Sequence, residues 1–291
     1  HDARFGLWYA GNATRTRVPD HDLGYAESTD GIHFTPHARN PVSRGADLPF
    51  GVGWQTPNVH YDRDMGCYRM WFIAADGECD ATGRCVKPRQ RLAYAESDDG
   101  LAWRIHPEPL LTNVRGPSVV KDAPDAYRMW ICSATHEDDD FNTMVSTIYR
   151  FTSTDGLNWK RDAKPCVTVD AQCRSVVYPF VMRDGEGDDA PYVMFHGCHV
   201  AQGHFELFAA TSADGLTWTL HREASCFPAS RDPNRFDGRY TSTPSLVEHD
   251  GKVYLYFSTR DMGRLYGGGD GLVNTTPIKK DALPCKRAPR G

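Results

Sequence analysis

A short motif, Ser-x-Asp-Gly-x-x-aromatic, occurs four times along the chain, and this repetition constrains the fold more than any other feature. The copies are Ser28–Phe34, Ser97–Trp103, Ser153–Trp159 and Ser212–Trp218. In each copy the aspartate can accept hydrogen bonds from its own backbone and the glycine can adopt a positive φ, so the motif predicts a tight turn between two strands. A repeat of roughly 60 residues lies in the size range of propeller blades.

A second repeated motif contains a proline-led strand followed by a strand of the type Tyr-x-Met-Trp. The proline-led segments are Pro57–Val59, Pro117–Val119, Pro179–Val181 and Pro244–Leu246. The segment Phe5–Tyr9 matches the second strand alone, which gives five repeats. The apolar residues alternate with period two, so each repeat predicts a four-stranded antiparallel sheet rather than a helix. We therefore predict an all-β, five-bladed β-propeller in a single domain over residues 1–291. A β-sandwich, the alternative, does not repeat at this period.

Composition excludes several functional classes. The formal net charge is −5 and both signs are mixed along the chain, whereas a nucleic-acid-binding protein usually carries a basic stripe. No apolar run approaches the length of about 18 residues that a membrane-spanning helix needs. Aromatic residues make up 11% of the chain, which argues against disorder. We expect a small-molecule or oligosaccharide substrate as the partner, and neither nucleic acid nor membrane.

The chain contains nine cysteines, an odd number, so we expect at least one free thiol. Cys79 with Cys85, and Cys166 with Cys173, bracket short loops that allow local disulfides. Cys198 lies in an apolar run and is expected to be a small core residue. No CxxC spacing typical of zinc is present, and we expect no metal and no cofactor. Because no signal-like segment is visible, we expect a reducing, cytoplasmic compartment, with secretion as the open alternative.

The pairing of Tyr-x-Met-Trp with Tyr-Ala-Glu-Ser-x-Asp-Gly resembles the five-bladed propeller glycosidases: arabinanases, xylosidases, invertases, levansucrases and mannoside phosphorylases. Both motifs are seen together in Tyr68–Trp71 and Tyr94–Gly100, and the resemblance extends from Phe5 to about Asp261. It implies cleavage of a glycosidic bond by carboxylates that precede the blade prolines and face a central channel. This sequence departs from that pattern, because Gly116 precedes Pro117 and no acidic residue stands among the three residues before Pro179.

The topology of a propeller would gather the loops between second and third strands, with the connections between blades, at one mouth of the channel. In these segments we predict a catalytic group of His136, Glu137 and Asp138, since a carboxylate beside a histidine supports general acid–base chemistry near neutral pH. The alternative is that the acidic run is a solvated loop. The predicted substrate-binding residues are Trp54, Gln55, Arg115, Arg174, Tyr178, His196, His199, Arg239, Arg260 and Asp261.

These residue types suggest a function and its rivals. Arginines suit an anionic sugar or a sugar nucleotide, and Trp54 and Tyr178 can either stack on a sugar ring or pack in the core. We predict a carbohydrate-active, glycoside hydrolase- or phosphorylase-like enzyme acting on a glycosidic bond of a sugar or anionic sugar conjugate. The alternatives are a non-catalytic carbohydrate-binding propeller and a biosynthetic enzyme that modifies a sugar or sugar nucleotide.

Overall fold

A computed structural model describes residues 4–11, 20–79, 85–133, 147–185, 187, 189–200, 204–260, 270–274 and 278–279. These residues are almost entirely strands, turns and connections, and their one helical segment is a single 3-10 turn at Gly45–Asp47. The strands are β1 Phe5–Gly11, β2 Asp22–Ser28, β3 Thr35–Pro36, β4 Gly53–Asp62, β5 Cys67–Cys79, β6 Cys85–Ser97, β7 Arg104–Ile105, β8 Leu111–Thr112, β9 Val114–Ala123, β10 Ala126–Ser133, β11 Thr147–Ser153, β12 Lys160–Val167, β13 Val176–Arg183, β14 Tyr192–His199, β15 Phe205–Ser212, β16 Thr219–His221, β17 Tyr240–His249, β18 Lys252–Arg260, β19 Asp270–Asn274 and β20 Ile278–Lys279.

The described strands form four sheets in a β-propeller arrangement, so the prediction of five blades is wrong for this structure. Three sheets have the orders β1-β2-β3, β4-β5-β6-β7 and β12-β11-β10-β9. The fourth has eight strands, because Phe205 of β15 pairs in parallel with Tyr240 of β17 and thereby joins two antiparallel groups that the repeats predicted as separate. A local sequence motif does not predict a parallel pairing between strands that are distant in the chain.

The predicted Ser-x-Asp-Gly turns are confirmed. In the copy at Ser97, the Asp99 carboxylate accepts the N–H groups of Leu101 and Ala102 at 2.8 Å, and the Ser97 hydroxyl accepts the Gly100 N–H at 2.9 Å. Gly100 has φ 75°, a conformation that side chains other than glycine seldom adopt. The other three copies have the same hydrogen bonds.

The chain divides into two compact units. Unit 1 contains residues 1–144 and 151–160, and unit 2 contains residues 145–150 and 161–291. Trp54, Met70 and Phe72 belong to the apolar core of unit 1, and Phe195, Leu207 and Phe257 to that of unit 2. The single domain stays a prediction. No helix among the described residues is long and apolar enough to cross a membrane.

Tryptophans connect neighbouring repeats within unit 1. The indole N–H of Trp8 donates to the carbonyl of Gly100 at 2.7 Å, and that of Trp71 donates to the carbonyl of Gly156 at 2.7 Å. The repeated turn therefore presents its glycine carbonyl as an acceptor to a tryptophan of the preceding repeat. In both pairs the tryptophan therefore bonds across two repeats.

The structure pairs Cys173 with Cys198, so the predicted local bridge between Cys166 and Cys173 is wrong. The two bonded cysteines are 25 residues apart in sequence, with their Cα atoms at 5.4 Å, and Cys198 is a bridge partner as well as a core residue. Cys166 is a free thiol, and burial raises its pKa to about 11. Cys79 and Cys85 are opposite each other in the β5–β6 register, and their side chains lie outside the described residues.

Candidate functional site

The residue before the repeat proline has a positive φ in all four proline-led strands. These residues are Thr56, Gly116, Tyr178 and Thr243, with φ between 45° and 65°. At each site the register between the first and second strand shifts, so that two residues face one, as in a β-bulge. Proline has no N–H to donate to a neighbouring strand, and the bulge allows it to lie in the interior of a strand. The resemblance to the propeller glycosidases implies carboxylates at two of these positions, before Pro117 and before Pro179, and here Gly116 and Tyr178 are not acidic.

Three of these four positions are strained because they are not glycine. A β-branched residue such as Thr56 or Thr243 is a genuine outlier at positive φ, and such a conformation costs on the order of 1–3 kcal/mol. The Thr56 hydroxyl is also buried without a hydrogen-bond partner among the described residues. Backbone strain of this kind clusters at functional sites, so the bulges direct attention to the side chains beside them.

In unit 1 the side chains beside the bulges form a polar chain. Gln90, which is buried, donates to the Gln55 side-chain carbonyl at 3.1 Å and accepts from Nε of Arg115 at 3.1 Å. The predicted residues Gln55 and Arg115 are thus brought together by a glutamine that the sequence analysis did not select. These hydrogen bonds hold the Arg115 guanidinium in place beside the bulge at Gly116.

Trp54 lies in the core of unit 1. Its side chain is fully buried, its ring stacks on Phe72 with centroids 3.9 Å apart, and its indole N–H donates to the carbonyl of Arg44 at 3.4 Å. Of the two interpretations offered for Trp54, packing therefore describes its surroundings, and no ring face is open to a ligand.

In unit 2, three aromatic rings form a ladder next to two arginines. His199 stacks on Phe205 with centroids 4.7 Å apart and planes 10° apart, and Phe205 in turn contacts Tyr240 at 5.2 Å. All three residues are partly exposed. Main-chain hydrogen bonds tie this ladder to its neighbours, since Arg174 N donates to the His199 carbonyl at 2.8 Å and Phe205 N to the Arg239 carbonyl at 3.3 Å.

We name Arg174, His199, His204 and Arg239 the His199 cluster. Partial burial lowers the pKa of His199, and the positive charges of Arg174 and Arg239 lower it further, with a contribution from His204. The Nε2 atom of His199 is buried and has no hydrogen-bond partner among the described residues. The imidazole is therefore held neutral, next to two exposed guanidinium groups.

His196 lies on the same strand in a closed environment. It is fully buried, and burial together with the charge of Arg222 lowers the pKa of His196 to about 3. The Arg222 Nη1 atom is 3.5 Å from Nε2 of His196, and Arg222 Nε donates to Asp170 at 3.1 Å. His196 is thus a neutral core residue that orients Arg222.

The remaining predicted residues have mixed outcomes. Tyr178 is half-buried at its bulge. Arg260 pairs with Tyr240 in the β17–β18 register, and its side chain is outside the description. His136, Glu137, Asp138 and Asp261 lie outside the described residues, so the catalytic group stays a prediction. Within the described part of the chain, no group of three or more His, Cys, Asp or Glu residues could hold a metal ion.

Sequence reasoning missed Phe205, Gln90 and Arg222 as parts of these groups. One signal existed for the neighbouring residues: the dipeptides Cys173-Arg174 and Cys198-His199 place a basic residue directly after each bonded cysteine. Knowledge of the disulfide would have brought Arg174 and His199 together.

No family model matches the chain. The uncharacterized protein Rv1502 of Mycobacterium tuberculosis is 30% identical over 167 residues, which cover 54% of this chain and 50% of that protein. The uncharacterized protein MT1551 of a second strain of M. tuberculosis matches to the same extent. The chain therefore matches about half the length of these curated relatives.

Several solved structures share the fold. An endo-1,4-β-xylanase from Bacteroides thetaiotaomicron has a TM-score of 0.67 at 13% identity, over 95% of this chain and 92% of that one. An N-acetylgalactosamine deacetylase from F. plautii, solved with blood group B trisaccharide, has a TM-score of 0.68 at 14% identity, over 97% and 88%. A thermostable family-43 glycoside hydrolase has 0.67 at 13%, over 94% and 86%. With the sheets described above, these likenesses show that the chain has the β-propeller fold.

Proposed function

We propose that this chain is a carbohydrate-active protein and that unit 2 holds a sugar ring against the ladder of His199, Phe205 and Tyr240. The ladder carries the proposal. Partly exposed aromatic rings present apolar faces on which the C–H face of a sugar can stack, while adjacent polar groups bind its hydroxyls. The xylanase, the hydrolase and the deacetylase of the same fold support the carbohydrate class.

For the reaction, we propose cleavage of a glycosidic bond, with Asp138, Glu137 and His136 as the residues to test. Two carboxyl groups suffice for retaining or inverting hydrolysis. Asp138→Asn or Glu137→Gln should lower the rate of product release about a hundredfold or more if the changed residue is the acid or base. Wild-type turnover in both variants would remove this segment from the mechanism.

A carbohydrate-binding protein without catalysis is the second candidate. It is favoured by two of the described bulges, where Gly116 and Tyr178 stand at positions at which the resembling enzymes carry carboxylates. The two candidates differ in one measurement. Chromatography of an oligosaccharide that raises the melting temperature will show product only if the chain is an enzyme.

Binding at the ladder is tested by a matched pair of variants in unit 2. Phe205→Leu removes the ring that contacts both His199 and Tyr240, whereas Phe180→Leu makes the same change at a partly buried residue against the apolar core. A panel of oligosaccharides is first screened by thermal shift. We expect Phe205→Leu to weaken the strongest binder about tenfold and Phe180→Leu to bind it like the wild type. Equal affinities in the two variants, or no response to any sugar, would overturn the proposal.

A further inference from the structure

We propose that Gln55 is a ligand-binding group of unit 1 that presents its NH2 as a hydrogen-bond donor, and that Gln90 and Arg115 are positioning residues that fix this polarity. The ligand group is an oxygen that accepts hydrogen bonds and cannot donate them, such as the carboxylate of a uronate or the carbonyl of an N-acetyl group on a sugar. The inference rests on the proposed function only for the carbohydrate class of the ligand. The polarity itself is argued from hydrogen bonds within unit 1.

The first step is the fixed polarity of Arg115. A guanidinium carries five N–H donors and no acceptor, and it is not deprotonated in proteins. Nε of Arg115 donates to the side-chain carbonyl of Gln90 at 3.1 Å. Because an arginine can bond only to the oxygen of a carboxamide, Arg115 determines which end of the Gln90 side chain faces it.

The second step is that Gln90 is locked in one orientation. The reversed carboxamide would place its NH2 against Nε of Arg115, so that two donors would face each other. Gln90 is buried, and a buried polar group that loses its hydrogen-bond partner is unfavourable. With its oxygen on Arg115, Gln90 has its NH2 left, and this group donates to the side-chain oxygen of Gln55 at 3.1 Å.

The third step transfers the polarity to Gln55. Because its side-chain oxygen accepts from Gln90, its NH2 group is directed away from that bond. Gln55 is partly exposed, and its NH2 donates to no residue that the structure describes. The two N–H groups of this carboxamide are therefore available to a ligand, in an orientation that Arg115 sets through Gln90.

The fourth step is the backbone beside Gln55. The register between β4 and β5 shifts directly after this residue, and the next residue, Thr56, has φ 45°. This conformation is strained for a β-branched residue, and backbone strain of this kind clusters at functional sites. The strain therefore lies next to the donor that the hydrogen bonds hold in place, which is an independent reason to assign a ligand to Gln55.

The fifth step is the choice of ligand group. A donor of fixed orientation forms a hydrogen bond with a carboxylate or a carbonyl, whereas the ammonium of an amino sugar would place a second donor against it. A site built to hydrogen-bond a particular group rejects an analogue that cannot form the bond, because the polar group of the site then loses its partner. A sugar hydroxyl can turn to accept and is intermediate. The donor therefore favours acidic or N-acetylated sugars over amino sugars.

The polarity is tested first without a ligand, by NMR measurement of hydrogen exchange in the side-chain NH2 groups. In the wild type, the Gln90 NH2 should exchange slowly and the Gln55 NH2 rapidly. Gln90→Glu provides a carboxylate that accepts from both neighbours, so Gln55 should turn its NH2 inward and exchange at least about fivefold more slowly. Gln172→Glu, at an exposed residue of unit 2, adds the same charge and should change nothing. Slow exchange of the Gln55 NH2 in the wild type, or no slowing in Gln90→Glu, would overturn the polarity.

The ligand class is tested by titrating N-acetylglucosamine, glucuronate, glucose and glucosamine while the Gln55 NH2 resonances are followed. N-acetylglucosamine or glucuronate should bind at least about tenfold more tightly than glucosamine. The tighter of the two identifies the acceptor as a carbonyl or a carboxylate, and both support the inference. Tightest binding of glucose or glucosamine, equal binding of all four, or no shift of the Gln55 resonances would overturn the ligand class.

The positioning role of Gln90 has its own readout, which is the order of ligand preference. Gln90→Glu should reverse the preference between N-acetylglucosamine and glucosamine, measured in about 0.5 M salt so that the charge of the new carboxylate is screened. Gln90→Met removes both hydrogen bonds without adding a charge, so the preference should disappear, and this variant serves if Gln90→Glu does not fold. A preference that stays unchanged in the folded variants would refute the positioning role.

The outcomes also separate this inference from the proposed function, because the exchange measurement uses no sugar. A sugar that shifts the resonances of Phe205 and leaves those of Gln55 unchanged would refute the inference alone. A sugar that shifts Gln55 and leaves Phe205 unchanged would refute the proposed ladder alone.

Discussion

Unit 1 and unit 2 each contain a group of basic side chains, and the two groups differ in how far they are buried. In unit 1, the Arg69 cluster consists of Asp62, Arg69, Lys121 and Tyr127. Asp62 and Arg69 are buried, and Asp62 accepts from Lys121 at 2.6 Å and lies 3.3 Å from Arg69. In unit 2, Arg174 and Arg239 of the His199 cluster are exposed, and His199 stacks on Phe205.

The remaining donors of Arg69 are also used. They bond to the Tyr94 and Tyr127 hydroxyls and to the carbonyl of Asp155 at 2.7 Å. Burial by itself raises the pKa of Asp62, but hydrogen bonds from Lys121 and Tyr127 outweigh it and lower the pKa to about 2. The described hydrogen bonds of Arg69 thus all go to groups within unit 1. The comparison therefore contrasts a buried ion cluster with a group of exposed basic side chains.

Among these predictions, breaking the Arg69 cluster should give the largest loss in the free energy of unfolding. Asp62→Asn leaves the Arg69 guanidinium buried without its counter-charge, and removal of one partner from a buried pair costs about 3–5 kcal/mol. Urea denaturation of the variant should show this loss in the free energy of unfolding. Asp237→Asn, which breaks an exposed pair with Arg235, is the control and should cost less than about 1 kcal/mol. Similar losses in both variants would mean that the Arg69 cluster is not a special stabilising element.

The pH dependence of stability tests the buried imidazole of His196, which lies next to Arg222. Its pKa in the folded state is about 3 and in the unfolded state about 6.5, so between these values only the unfolded chain binds the proton. Stability should therefore fall as the pH is lowered from about 6.5, by roughly 2 kcal/mol at pH 5 from this group.

The measurement is the free energy of unfolding at pH 7 and at pH 5. In His196→Asn the difference between the two pH values should shrink by this amount. An unchanged difference in His196→Asn would mean that the imidazole is accessible to protons in the folded state.

Trp71 tests whether the Arg69 cluster depends on the adjacent turn. Trp71→Phe removes the N–H that bonds the carbonyl of Gly156, next to the Asp155 carbonyl that Arg69 uses, and should cost at least about 1 kcal/mol. Trp8→Phe removes the equivalent bond at Gly100. Double-mutant cycles with Arg69→Met should show coupling for Trp71 and none for Trp8. Absence of coupling for Trp71 would show that the turn and the ion cluster are independent.

The smallest effect sharpens the description of the His199 cluster. Because the charge of Arg174 contributes to the low pKa of His199, Arg174→Gln should raise that pKa in the free protein. The pKa is measured by NMR titration of the imidazole protons, with Arg235→Gln as the variant that should cause no change. A pKa that stays constant in Arg174→Gln would mean that the guanidinium points away from the ring.

Local features of the fold were predicted correctly from the sequence, and contacts between distant residues were not. The turn at Ser97–Gly100 and the strands around it were predictable, because their hydrogen bonds join residues within three positions of each other. The bridge between Cys173 and Cys198 was not, and neither was the parallel pairing of Phe205 with Tyr240, because 25 and 35 residues separate the partners.

The amino-acid sequence alone determined the all-β class, the repeated turns and the residue types available to a site, because these follow from periodicity and from short-range hydrogen bonds. Only the tertiary structure decided which of those residues act together. It buried Trp54 and His196 and brought Arg174 to His199 beside a disulfide. It also placed the Asp62 carboxylate against Arg69 in the interior of unit 1. Whether a charge is compensated depends on the segments that fold against it, and these segments are distant in the chain.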